Sequence, residues 1–178
     1  MRVSGMIAAA VVSLLSSSVL AAELPIVKQS HATWAGCTYR VVVRKDSAEH
    51  PYYPPETGLR IDLFRVSVYR YYSAQCAVPT AGVQELGTSH FEPNISIVAS
   101  AQGLVVAFSQ EPWDRWFPGQ RRITVGQVDL STLGFTRSDV LRGSNMPLEG
   151  GAGGPGAVEL DKLIVHSGFV ELRGALDG

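Results

Sequence analysis

The stretch IDLFRVSVYRYYS, residues 61–73, decides the fold class. Asp62, Phe64, Val66 and Val68 fall on one side of an extended chain, and Arg65, Ser67, Tyr69 and Tyr71 on the other, which is the repeat of a strand. Its β-branched and aromatic residues suit a pleated surface. CTYRVVVRKD, residues 37–46, alternates in the same way, with Tyr39, Val41 and Val43 against Arg40, Val42 and Arg44. If these two strands are neighbours, a bond between Cys37 and Cys76 pins the start of one near the end of the other and implies antiparallel pairing.

Working outward, SAEHPYYPPETG (47–58) holds three prolines, which remove backbone donors, and reads as a loop. HFEPNISIVAS (90–100) and GLVVAFSQ (103–110) form a hairpin across Ala101-Gln102-Gly103, and RRITVGQVDL (121–130) supplies another strand. LDKLIVHSGFVELRGAL (160–176) reads as two strands about a turn at His166-Ser167-Gly168. One short helix is expected at SDVLR, capped by Thr136 or Ser138, with Asp139 in its first turn and Gly143 as its stop. GSNMPLEGGAGGPGA (143–157) is a glycine-rich loop. The expectation is an all-β chain, an antiparallel β-sandwich with one short helix. A small β-barrel is the alternative, because alternation does not separate two packed sheets from one curled sheet.

Residues 1–21 read as a secretory signal peptide: Arg2 gives a positive start, Met6 to Leu20 an apolar and small-residue run, and Val19-Leu20-Ala21 a cleavage site. Serines dilute that run, so a membrane span is not expected. The remaining residues, 22–178, are then one periplasmic or secreted domain of roughly 155 residues, long enough for an adequate core. The two cysteines, Cys37 and Cys76, are expected to form a single disulfide in an oxidising compartment. The formal charge of −1 becomes −2 on loss of Arg2, which leaves no field for a polyanion and no expectation of nucleic acid as a partner.

The search for chemistry yields little. His31, His50, His90 and His166 show no metal-ligand spacing, and HExxH and GxSxG are absent. Ser89 and His90 are adjacent on a strand and point in different directions. The glycines at 150–156 lead into β-type sequence without the lysine of a phosphate loop. No catalytic residue, metal or cofactor is expected. Glu111 and Asp114 are the best acid pair for the rival reading, a hydrolase acting on glycans, because an adjacent indole would favour a neutral carboxyl.

The strongest lead is EPWDRWFPGQRR (111–122), a long connection with Trp113, Asp114, Arg115 and Trp116 at its centre. Flat indoles ringed by arginine and aspartate suit stacking on a sugar or anchoring a protein, and a rigid β scaffold commonly presents such loops. Their structural alternative is to fold back over an open end of the core. Tyr52 and Tyr53 in the proline loop offer a second aromatic group. The pattern points to a non-catalytic binding module for a protein or glycan. An inhibitor or immunity protein against a secreted enzyme and a structural subunit of a surface assembly are the other readings.

Overall fold

The computed structural model describes residues 23–49, 55–78, 80–111, 121–142 and 157–177. Ten strands order along them: β1 (Ile26–Trp34), β2 (Cys37–Glu49), β3 (Arg60–Tyr71), β4 (Gly82–Ser89), β5 (Ile95–Ser100), β6 (Gly103–Gln110), β7 (Arg122–Val128), β8 (Phe135–Arg142), β9 (Ala157–Val165) and β10 (Val170–Asp177). They form two four-stranded sheets, β1-β2-β3-β4 and β5-β6-β7-β8, and the two-stranded hairpin β9-β10. Every pairing is antiparallel. The sheets are open, so the sandwich expectation stands and the barrel does not.

The alternation in β2 and β3 builds the principal core. Tyr39, Val41 and Val43 lie beside Val68, Val66 and Phe64 on the inner face of the first sheet. Ile97, Leu104, Val106, Phe108 and Val128 meet them from the second sheet. On the outer face of the first sheet, Arg40 stacks on Tyr71 and Arg44 on Tyr69. Val42 on that face is almost fully buried.

The second sheet is buried on its other face too. Val105, Ala107 and Ile123 point away from the first core and pack against Val158, Leu160 and Leu163 of β9. All eight residues of β6 are therefore buried, and the domain has three layers. This explains why Leu104–Phe108 is apolar without a break: a strand covered on both faces has no solvent side on which to place polar residues.

Three expectations are corrected. The SDVLR helix is instead strand β8, with Ser138, Asp139, Val140, Leu141 and Arg142 paired to Gly126, Val125, Thr124, Ile123 and Arg122 of β7. A helix of under two turns has too few hydrogen bonds to offset its nucleation cost, and the free edge of β7 offered a complete ladder. Ser47–Glu49 of the supposed proline loop continue β2, while Pro55–Thr57 make one 3-10 turn. Ala157, placed at the end of the glycine-rich loop, begins β9; residues 143–156 of that loop lie outside the described residues. Strands β1 and β4 had no expected counterpart; both run along sheet edges and are half exposed.

The Cys37–Cys76 disulfide is present, with the two Cα atoms 4.3 Å apart. It ties the start of β2 to the segment after β3. Nearby, Arg70, 5% exposed, bridges the two sheets: its guanidinium donates to the Thr80 carbonyl at 2.6 Å, to Thr80 Oγ1 at 2.9 Å and to the Leu130 carbonyl. Trp34 Nε1 donates across the sandwich to the Ser100 carbonyl at 2.8 Å. No helix among the described residues is long and apolar enough to cross a membrane.

Candidate functional site

The two ends of the sandwich differ. At the disulfide end lie four short connections, Ala35-Gly36, Ala101-Gln102, Asp129–Gly134 and His166–Phe169, and one longer one, residues 72–81 between β3 and β4, which carries Cys76. The last of the short ones is closed by the His166 amide donating to the Phe169 carbonyl at 2.9 Å. At the opposite end lie the residues that flank the long connections. Glu49 pairs with Arg60 as the final rung of β2-β3. Gln110 pairs with Arg122 as the final rung of β6-β7.

These flanks are joined to each other. The His90 amide donates to the Glu111 carbonyl at 3.1 Å, and its ring Nδ1 lies 3.3 Å from the Asp62 carbonyl of β3. Ser89 Oγ accepts from the Glu111 amide at 2.9 Å and the Phe91 amide at 3.3 Å. Arg121 Nε sits 3.6 Å from Glu111 Oε2, its Nη1 donates to Glu159 of β9, and its guanidinium lies over the Phe91 ring at 4.3 Å. All three layers thus contribute to one platform, and the segment between Glu111 and Arg121 starts and finishes on it.

Trp113, Asp114, Arg115, Trp116, Tyr52 and Tyr53 themselves lie outside the described residues. The other tyrosines are not brought to this end. Tyr69 and Tyr71 stack along the outer face of β3 with ring centroids 6.4 Å apart, and Tyr72, 67% exposed, is at the disulfide end. Ser89 is fully buried and occupied by backbone amides, so it has no nucleophile's setting. Glu111 is engaged in holding the platform. Among the described residues, no three of His, Cys, Asp and Glu gather to hold a metal ion.

A second concave feature was not foreseen. A cleft of about 740 Å³ lies between the outer face of β7-β8 and the β9-β10 hairpin. Val105, Val125, Leu141, Val165 and Leu172 supply its apolar lining, while Arg137, Asp139 and His166 stand among its polar groups. Glu171 Oε2 holds His166 Nε2 at 2.8 Å, and the Phe169 ring stacks on the imidazole with centroids 4.3 Å apart. Hydrogen bonds from Arg173 and then His166 hold the Glu171 carboxyl below its ordinary range. The cleft's wall includes the strand read as a helix, and helical spacing scatters Arg137, Asp139 and Leu141 instead of lining them up. Their spacing of two was the available signal.

No protein-family model, curated protein or solved structure matches this chain.

Proposed function

We propose that this chain is an exported, non-catalytic binding module that recognises a protein or glycan through residues 111–122, with Trp113 and Trp116 as anchors, Asp114 and Arg115 as orienting groups and Tyr52 and Tyr53 in support. The observation that carries the reading is the shared platform. The residues flanking the β2-β3 and β6-β7 connections, namely Glu49, Arg60, Glu111 and Arg121, occupy the same end of the sandwich, and His90 links Glu111 to Asp62 of β3 there. A pre-organised base lowers the entropy lost when a connection orders on a ligand. Two connections meeting at one end of a sandwich is also how such folds present binding surfaces. The disulfide and the amino-terminal run of small and apolar residues support export to the periplasm or beyond.

The test is a glycan array together with capture from soluble envelope extracts, each run with wild type and with Trp113→Ala/Trp116→Ala. Loss of at least about tenfold in affinity with an unchanged circular dichroism spectrum is expected, since buried aromatic anchors dominate such interfaces. Undiminished binding by the variant, or no binding by wild type in either format, would sink the proposal. Glycosidase activity lost in Glu111→Gln or Asp114→Asn would replace it with the hydrolase reading.

A further inference from the structure

The free edge of β8 carries an arrangement that the proposed loop surface does not use. Among the described residues β8 is the last strand of its sheet and pairs only with β7. On the other side of the sandwich β1 lies against β5, which covers the edge there. The edge of β4 is interrupted in mid-strand, where Leu86 is the extra residue of a bulge. In β8 the bulge falls at Thr136, near the start, and leaves Arg137–Arg142 in regular register. An unbroken edge of backbone donors and acceptors is a template for another strand.

We propose that a second copy of this chain docks on that edge, in an antiparallel pairing centred on Ser138 whose regular rungs are Arg137–Asp139, with the bulge at Thr136 bounding them on each side. Arg137 then faces Asp139 of the second copy, and Asp139 faces its Arg137. Within the charged part of the edge, Arg137–Asp139, symmetry and charge together select one register. A two-fold antiparallel pairing must be centred on a residue, because centring it between residues would set opposite faces of the two strands against each other. Centring on Arg137 places two guanidinium groups opposite one another. Centring on Asp139 does the same with two carboxylates. Centring on Ser138 gives two reciprocal attractive pairs, and like charges directly across a ladder are destabilising.

The side chains are available for this. Arg137 and Asp139 are exposed, and among the described residues neither has an ion pair or side-chain hydrogen bond. Val140 and Leu141, both 44% exposed, lie beside them. The contact is isologous, so it closes at two copies instead of growing into a fibre. Joining the edges makes one eight-stranded sheet from two sheets of four. Its two-fold axis is normal to the sheet, so both β9-β10 hairpins lie on the same face. Because β8 forms one wall of each cleft, the two clefts open towards each other, and Phe169, 62% exposed, stands beside this trough in each copy.

Sedimentation velocity of the purified protein, from about 1 µM to about 500 µM, reads the association directly. Wild type is expected to shift from monomer to dimer. Arg137→Asp alone and Asp139→Arg alone each turn both reciprocal pairs repulsive and weaken dimerisation by at least about tenfold. An equimolar mixture of the two variants restores a dimer, since every pair is again of opposite sign. A wild type that stays monomeric throughout, a dimer indifferent to both reversals, or a mixture that fails to associate would each overturn the proposal. Should either variant fail to fold, Ser138→Cys decides: it is expected to cross-link to a dimer on oxidation while Val140→Cys does not, and absence of that cross-link overturns the pairing.

Discussion

Asp129 shows how much of this fold rests on single polar side chains in the short turns. Its Oδ1 accepts from the Ser131 amide at 2.8 Å and the Thr132 amide at 2.7 Å, and from the Ser131 and Thr132 hydroxyls at 2.5 and 3.1 Å. The turn so held carries Leu133 at a positive φ of 65° and drives its side chain into the principal core. Ser131 first, then Thr132, hold the Asp129 carboxyl down to about 2. A depressed folded value means the charge stabilises the fold fully above the unfolded value near 4, with loss as pH falls through about 2. Asp129→Ala should lower the melting temperature by a few degrees at pH 7, and the gap to wild type should shrink between about pH 4 and pH 2. A gap that ignores pH would show that the charge is not its source. Asp129 and Leu130, which open this turn, were the last residues of the RRITVGQVDL strand reading; the strand ends at Val128.

At the scale of elements, what was legible depended on whether the deciding interaction was local. Strands β2, β3, β5, β6, β7, β9 and β10 could be read because their alternation or their turns are written in neighbouring residues. β8 could not, because Thr136 or Ser138 followed by Asp139 makes a sound local cap, and the competing partner, β7, is supplied by tertiary structure. The third layer follows the same logic: the two strands at 160–176 were readable as a hairpin, but not the face they cover. One glycine now fixes their pairing. A Cβ on Gly174 would lie 1.8 Å from the Glu159 carbonyl oxygen, at the bulge where β10 passes β9. Gly174→Ala should therefore force the hairpin apart there and cost about 1–3 kcal/mol in urea denaturation. Gly168→Ala, with nothing within 4 Å of its Cβ, is the control and should stay within about 0.5 kcal/mol of wild type. Equal effects from the two would contradict the close approach.

For the whole molecule, the separation of a stapled end from a platform end makes a prediction about stability and recognition together. The disulfide closes a sequence separation of 39 residues, for which chain entropy gives up to about 4 kcal/mol. The same end is also held by Arg70 bridging to Leu130 and Thr80 and by Trp34 reaching Ser100, so both sheets keep their contact when the covalent bond is removed. Cys37→Ala/Cys76→Ala should leave a folded chain that melts on the order of 10 °C lower. Alanine is the useful replacement because both cysteines are buried and a hydroxyl there would need a partner. Glu49, Arg60, Glu111 and Arg121 lie at the far end of the sheets from this bond, and none of their contacts passes through it. Below its melting temperature the variant should accordingly retain wild-type affinity for whatever the 111–122 segment captures. A variant that melts as wild type does would show the bond to be redundant. One that folds but loses binding would show that the staple organises the distant platform, and the division of the molecule into two independent ends would have to be abandoned.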